Sequence, residues 1–100
     1  VVVSAVVYVK ATYPVYISGH VQFVNKTNQS KIKGLEILAK SGDHHLAQTQ
    51  VDSLGNYQLT FIPDGYNVFD FYYFGNGFDT TLIKSVKGFD DQLVEWNLTL

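Results

Sequence analysis

The chain has 100 residues, a formal net charge of −2, 46% hydrophobic and 16% charged residues, and no cysteine. These values exclude a disordered chain, a disulfide framework, a thiolate-held metal and a cysteine nucleophile, and they leave one domain able to bury a core. Its Lys and Arg total of 7 is made up entirely of lysine, so the chain lacks the arginine-bearing basic footprint of a nucleic-acid binder and the bidentate clamp for carboxylates or phosphates.

Val, Ile, Thr, Tyr, Phe and Trp make up 40 of the 100 residues. β-branched and aromatic side chains suit a pleated, half-buried surface, whereas strong helix formers are scarce here. No run of 18 apolar residues is present, so the chain contains no complete helical membrane span. The fold class expected is all-β.

The first segment, Val1 to Val9, is apolar at nearly every position. It reads as a buried strand in preference to the remnant of a signal h-region ending near Ala11. A strand with no polar face must be covered on both sides or pair with a sheet edge, within the chain or across a homodimer.

Over residues 15–24, Ile17, Gly19, Val21 and Phe23 share one face, and Tyr16, Ser18, His20 and Gln22 share the other. Asn25 to Ser30 reads as a polar loop. Leu35, Ile37 and Ala39 then face one way, with Glu36 and Lys40 opposite. Ser41-Gly42-Asp43 is a turn, and so is Asp52-Ser53-Leu54-Gly55-Asn56, with Val51 before it and Tyr57, Leu59 and Phe61 after it pointing inward. Further turns fall at Pro63-Asp64-Gly65, at Gly75-Asn76-Gly77 and over residues 87–91. The final strand alternates Val94, Trp96, Leu98 and Leu100 with Leu93, Glu95, Asn97 and Thr99, which makes Trp96 a core residue and not a ligand platform. Turn signals at this spacing predict a sandwich or barrel.

The turn around Asp52 has a physical logic. The Asp52 carboxylate can accept backbone N–H bonds across a tight turn that ends at Asn56, and Gly55 can take a positive φ, which would close a hairpin with a bulge. An EF-hand type calcium loop would need a bidentate Glu at its twelfth position, and counting from Asp52 that position is Pro63. No metal site is expected.

Several elements then line up in order. Ile17-Ser18-Gly19-His20-Val21, Gly34-Leu35-Glu36-Ile37, Val51-Asp52-Ser53-Leu54-Gly55-Asn56-Tyr57-Gln58-Leu59, Ile62-Pro63-Asp64-Gly65 and Gly75 to Phe78 resemble the carboxypeptidase regulatory-like domain family. The Asp52–Leu59 motif is the most specific of these, and Val51 departs from the Thr often found before the Asp. The resemblance implies a seven-stranded, mostly antiparallel Greek-key sandwich of the transthyretin-like (prealbumin-like, Ig-like) kind over residues 16–100, with residues 1–15 as an N-terminal extension that adds a strand. It also implies a non-catalytic accessory module of a larger secreted, periplasmic or cell-surface protein.

There is no Gly-x-Ser-x-Gly elbow for a serine nucleophile. His20 falls on an outward face, and His44 and His45 are neighbours that point apart when extended, so three converging metal ligands are not in sight. The hydroxyisourate hydrolases, an enzymatic branch of the transthyretin fold, rely on His and Arg residues and a Tyr-containing C-terminal motif. This chain has no Arg and ends Asn97-Leu98-Thr99-Leu100. No catalytic residue and no cofactor are expected.

The densest aromatic run is Phe69 to Phe74. The register puts Phe69, Phe71 and Tyr73 in the core and Val68, Asp70, Tyr72 and Phe74 outside. Val68, Tyr72 and Phe74 are therefore the candidate ligand-binding residues, for a polysaccharide or a partner chain. The sequons at Asn25, Asn28 and Asn97 carry no functional weight. The leading expectation is a structural, spacer or docking module outside the cytoplasm. Its partners would be neighbouring domains or another protein, with a homodimer as a further arrangement and nucleic acid excluded. The alternative is a carbohydrate-binding module.

Overall fold

The computed structural model describes residues 13–89 and 91–100. Eight strands and one helical turn follow in order: β1 (Val15–Gln22), α1 (Lys26–Gln29), β2 (Glu36–Ser41), β3 (His44–Gln50), β4 (Asn56–Phe61), β5 (Phe69–Gly75), β6 (Phe78–Val86), β7 (Leu93–Glu95) and β8 (Leu98–Thr99). They form two sheets. Sheet I runs β4-β1-β7, with β8 also on β1, and sheet II runs β3-β2-β5-β6. The strand expected over residues 1–9 lies outside the described residues. The first sandwich strand begins at Val15, one residue before the boundary read from the sequence.

β7 and β8 both pair with β1 in parallel, at Tyr16↔Leu93 to Ser18↔Glu95 and at Val21↔Leu98 to Gln22↔Thr99. They are two halves of one strand path, broken at Trp96-Asn97, which gives seven strand paths among the described residues. The other pairings are antiparallel. β1 and β4 pair although the β2–β3 hairpin of the opposite sheet lies between them in sequence, which is the Greek-key connection.

Period-two patterning built this sandwich. In β4 every second residue is buried, β1 follows the same alternation with Gly19 half-buried, and Ile17, Val21 and Leu59 are nearly inaccessible. Sheet II contributes Ile37, Ala39, Phe69 and Phe71 to the same core, and the Val51 and Leu35 side chains join them. Burying each of the larger side chains stabilises the fold by about 1.5–3 kcal/mol. At one end the rings of Phe61, Phe69, Phe71 and Phe89 pack at tilted or edge-on angles with centroids 5.1–6.3 Å apart, the geometry that aromatic quadrupoles favour.

Two local expectations are corrected. Residues 25–30 are not a plain loop: Asn25 caps one helical turn by accepting the Thr27 N–H at 2.8 Å, and Gln29 Oε1 accepts the Phe23 N–H at 2.7 Å. Trp96 is half-buried, not a full core residue. It closes the open side of the sandwich, edge-on to Phe71 at 4.9 Å and with Lys84 Nζ 4.2 Å from its ring centroid.

Candidate functional site

The predicted aromatic row lies on the outer face of sheet II, in the predicted register. Phe69 and Phe71 are buried, and Tyr73 packs against the core. Tyr72 and Phe74 stand outward, with Val68 beyond Asp70 at the far end. However, β5 is an interior strand, so its neighbours partly cover these rings. Tyr72 pairs with Leu38 on β2 and Leu82 on β6, and Lys40 Nζ lies 6.0 Å from its centroid. Phe74 is opposite Glu36. Both rings are half-buried, whereas Val68 is 46% exposed. Asp70 accepts a hydrogen bond from Ser85 Oγ at 2.5 Å, which separates Val68 from the two rings with a polar pair. The structure thus joins Tyr72 to Leu38 and Leu82 and leaves Val68 apart from the aromatic pair.

The predicted turn device is present, but it is not a hairpin. β3 and β4 lie in different sheets, and Asp52–Asn56 arches between them. Asp52 Oδ1 accepts the N–H groups of Leu54 and Asn56, each at 2.9 Å. Gly55 has φ +87, and its carbonyl accepts the Val21 N–H at 2.8 Å. A Cβ at Gly55 would sit 2.7 Å from the Val21 oxygen and 2.8 Å from His20 Nε2. Glycine is therefore required by conformation and by contact. The arch is docked on β1, a relationship that turn chemistry alone does not reveal.

All three histidines are exposed. His20 Nε2 is 2.8 Å from the Leu54 carbonyl, so it donates there and fastens the same arch. The His44 ring lies 5.1 Å from Tyr66. Among the described residues, no group of three or more His, Asp or Glu side chains is placed to hold a metal ion.

A feature that the sequence reading passed over lies on the outer face of sheet I. Ser18 sits between Gln58 on β4 and Glu95 on β7, in register with both. One step along, Tyr16 sits between Thr60 and Leu93. A small residue between two long ones makes a trough along β1, lined by Tyr16, Ser18, Gln58, Leu93 and Glu95, with a volume of about 480 Å³. It continues past Gly19 toward Asn56 and Asn97. The Tyr16, Ser18, Gln58 and Glu95 side chains make no hydrogen bond to other described residues. On sheet II, by contrast, Glu36 accepts from Gln48 and Gln50 at 3.2 and 2.8 Å. The signal available in the sequence was Ser18, a small residue between the larger Tyr16 and His20 on the outward face of its strand.

No family model matches the chain, and no curated protein matches it. Solved structures do. A 9R-lipoxygenase from Cyanothece PCC8801 is similar over 87% of this chain, with a TM-score of 0.57 at 13% identity. BcpA, the major pilin subunit of Bacillus cereus, is similar over 87% of this chain, with a TM-score of 0.51 at 17% identity. The chain spans 16% of the length of the first and 29% of the second. At these identities the likeness is one of fold, and it agrees with an all-β sandwich.

Proposed function

We propose that this sandwich is a non-catalytic module, outside the cytoplasm, that spaces, stabilises or docks a larger protein. The observation carrying this reading is that the same architecture forms a minor share of two much longer chains, one of them the subunit of a pilus. The packing supports it too. Among the described residues the core is shared between the sheets, and the arch at Asp52 is fastened to β1 by backbone and side-chain bonds. The partners of such a module are neighbouring domains, another protein or a second copy.

The Ser18-Gly19 pair and the Asp52–Gly55 arch support a finer reading, a divergent member of the carboxypeptidase regulatory-like family. In this reading Gly19 is held to glycine by the Trp96 carbonyl, and Asp52 by the two N–H groups it accepts.

Protease treatment of intact source cells tests the functional reading. We expect the sandwich to be recovered on the outer side, as part of a polypeptide much longer than 100 residues. Recovery only from the cytoplasmic fraction, or turnover of a substrate by the sandwich alone, overturns it.

A further inference from the structure

We propose that the trough along β1 on the outer face of sheet I binds a neutral polysaccharide chain. This goes beyond the structural role above, which survives if the groove binds nothing.

Shape gives the first argument. Neighbouring strands lie about 4.8 Å apart, so the Gln58 and Glu95 backbones flank Ser18 at roughly 10 Å from each other. The short hydroxymethyl of Ser18, between the longer Gln58 and Glu95, leaves the space between the two walls open. His20 does not fill the far end, because its ring turns to the Leu54 carbonyl. The trough is open along its length and continues toward Asn56 and Asn97, so it suits a chain and not a single compact molecule.

The lining gives the second. Tyr16 is 40% exposed and Leu93 78% exposed, side by side in register, which supplies an apolar platform for the C–H face of a sugar ring. The Ser18 hydroxyl, the Gln58 amide and the Glu95 carboxylate offer donors and acceptors in one row across three strands. Unengaged within the described chain, they can exchange water for ligand hydroxyls without breaking an internal bond.

Charge gives the third. Among the described residues, Glu95 is the one charged group lining this stretch, and no described lysine lines it. An acidic polymer would be repelled, and a neutral polyol would not.

Electrophoresis of the whole chain through gels containing mixed-linkage β-glucan, xylan, galactomannan, starch or dextran tests the proposal, with polygalacturonate as the acidic polymer. At least one neutral polymer should retard the chain, and polygalacturonate should not. Ser18→Val, which fills the trough from an exposed strand position, should abolish the retardation. Tyr16→Ala and Gln58→Ala should each weaken it by about tenfold, the scale of one lost contact. Tyr72→Ala, on the opposite face, should leave it unchanged. The proposal is overturned if no neutral polymer retards the chain, if Ser18→Val binds as before, or if Tyr72→Ala removes binding. Should Ser18→Val fail to melt like the parent, Gln58→Ala decides by the same criterion.

Discussion

The carbonyl oxygen of Trp96 occupies the place where a side chain on residue 19 would begin: a Cβ built on Gly19 lies 1.7 Å from that oxygen and 2.5 Å from its carbon. The last strand path breaks at this point. Trp96 donates its N–H to the Ser18 carbonyl at 2.9 Å, and Asn97 Oδ1 accepts the His20 N–H at 3.0 Å, so a side-chain oxygen takes over the ladder where the backbone turns away. The Trp96 carbonyl is then free to accept the Tyr57 hydroxyl at 2.9 Å.

Gly19→Ala should therefore be severe. The obstacle is backbone and cannot swing aside, so β1 and the β7–β8 path must separate. We expect a loss of about 3 kcal/mol or more, or a fall in Tm of over ~10 °C for a domain of this size. Thermal unfolding followed by circular dichroism reads it. A variant melting within ~2 °C of the parent contradicts the close approach.

At the arch, Asp52→Ala removes the acceptor of two backbone N–H groups, while Asp52→Asn keeps an oxygen in the same position. Asp52→Ala should cost about 1–2 kcal/mol and Asp52→Asn well under half of that. Urea midpoints of the three proteins measure the difference. Equal losses for both variants would mean that charge, not the turn bonds, matters here.

Alternation made most of the sandwich legible: Ile17, Val21, Leu35, Ile37, Tyr57, Leu59, Phe61, Phe69 and Phe71 are all buried as the period of two required. What alternation cannot carry is which edges meet. The Asp52 turn has the same residues whether it closes a hairpin or arches between sheets, so its docking on Val21 was not legible. The same blindness hid the break at Trp96-Asn97, because Val94, Trp96 and Leu98 keep their parity across it. Tyr72 and Phe74 were placed on the correct face, but their cover by Leu38, Leu82 and Lys40 depends on β5 being an interior strand, a fact of topology. The trough was hidden for the opposite reason: Ser18 and Gln58 looked like ordinary outward polar residues until register put them side by side.

Tyr57 couples this core to pH. Burial pushes its phenol well above the ordinary value near 10. The folded chain therefore keeps that proton at pH values where the unfolded chain releases it. The contribution is intact below pH ~10 and is lost as pH rises beyond it. We expect Tm to fall between pH 10 and 11.5. Tyr57→Phe should lose about 1 kcal/mol at neutral pH by leaving the Trp96 carbonyl without its donor, yet fall less steeply in alkali. Parallel slopes for the two proteins would remove Tyr57 as the cause.

The final expectation concerns the edge of sheet II. Among the described residues, β6 pairs with β5 on one side only, and its nine-residue outer edge is a template for another chain. Its register on β5 shifts between Phe71 and Tyr72, so that Lys84 stands opposite the buried Phe71 while Leu82 stands opposite the outward Tyr72. The bulge thus turns a lysine toward the interior side, where its ammonium lies over the Trp96 ring. Such a cation–π contact is worth about 0.5–2 kcal/mol in a partly desolvated place. An inward charge and a bulge on an edge strand both oppose edge-to-edge pairing, because an added strand would bury the charge and meet a kinked ladder. Lys84→Val removes the charge and adds a strong strand former. We expect its monomer to melt within ~5 °C of the parent, since lost cation–π attraction is offset by apolar contact with Trp96, while its sedimentation profile shifts toward higher mass as concentration rises. Lys84→Arg, which keeps the charge, should sediment like the parent. If Lys84→Val sediments like the parent at every concentration, the lysine does not guard this edge.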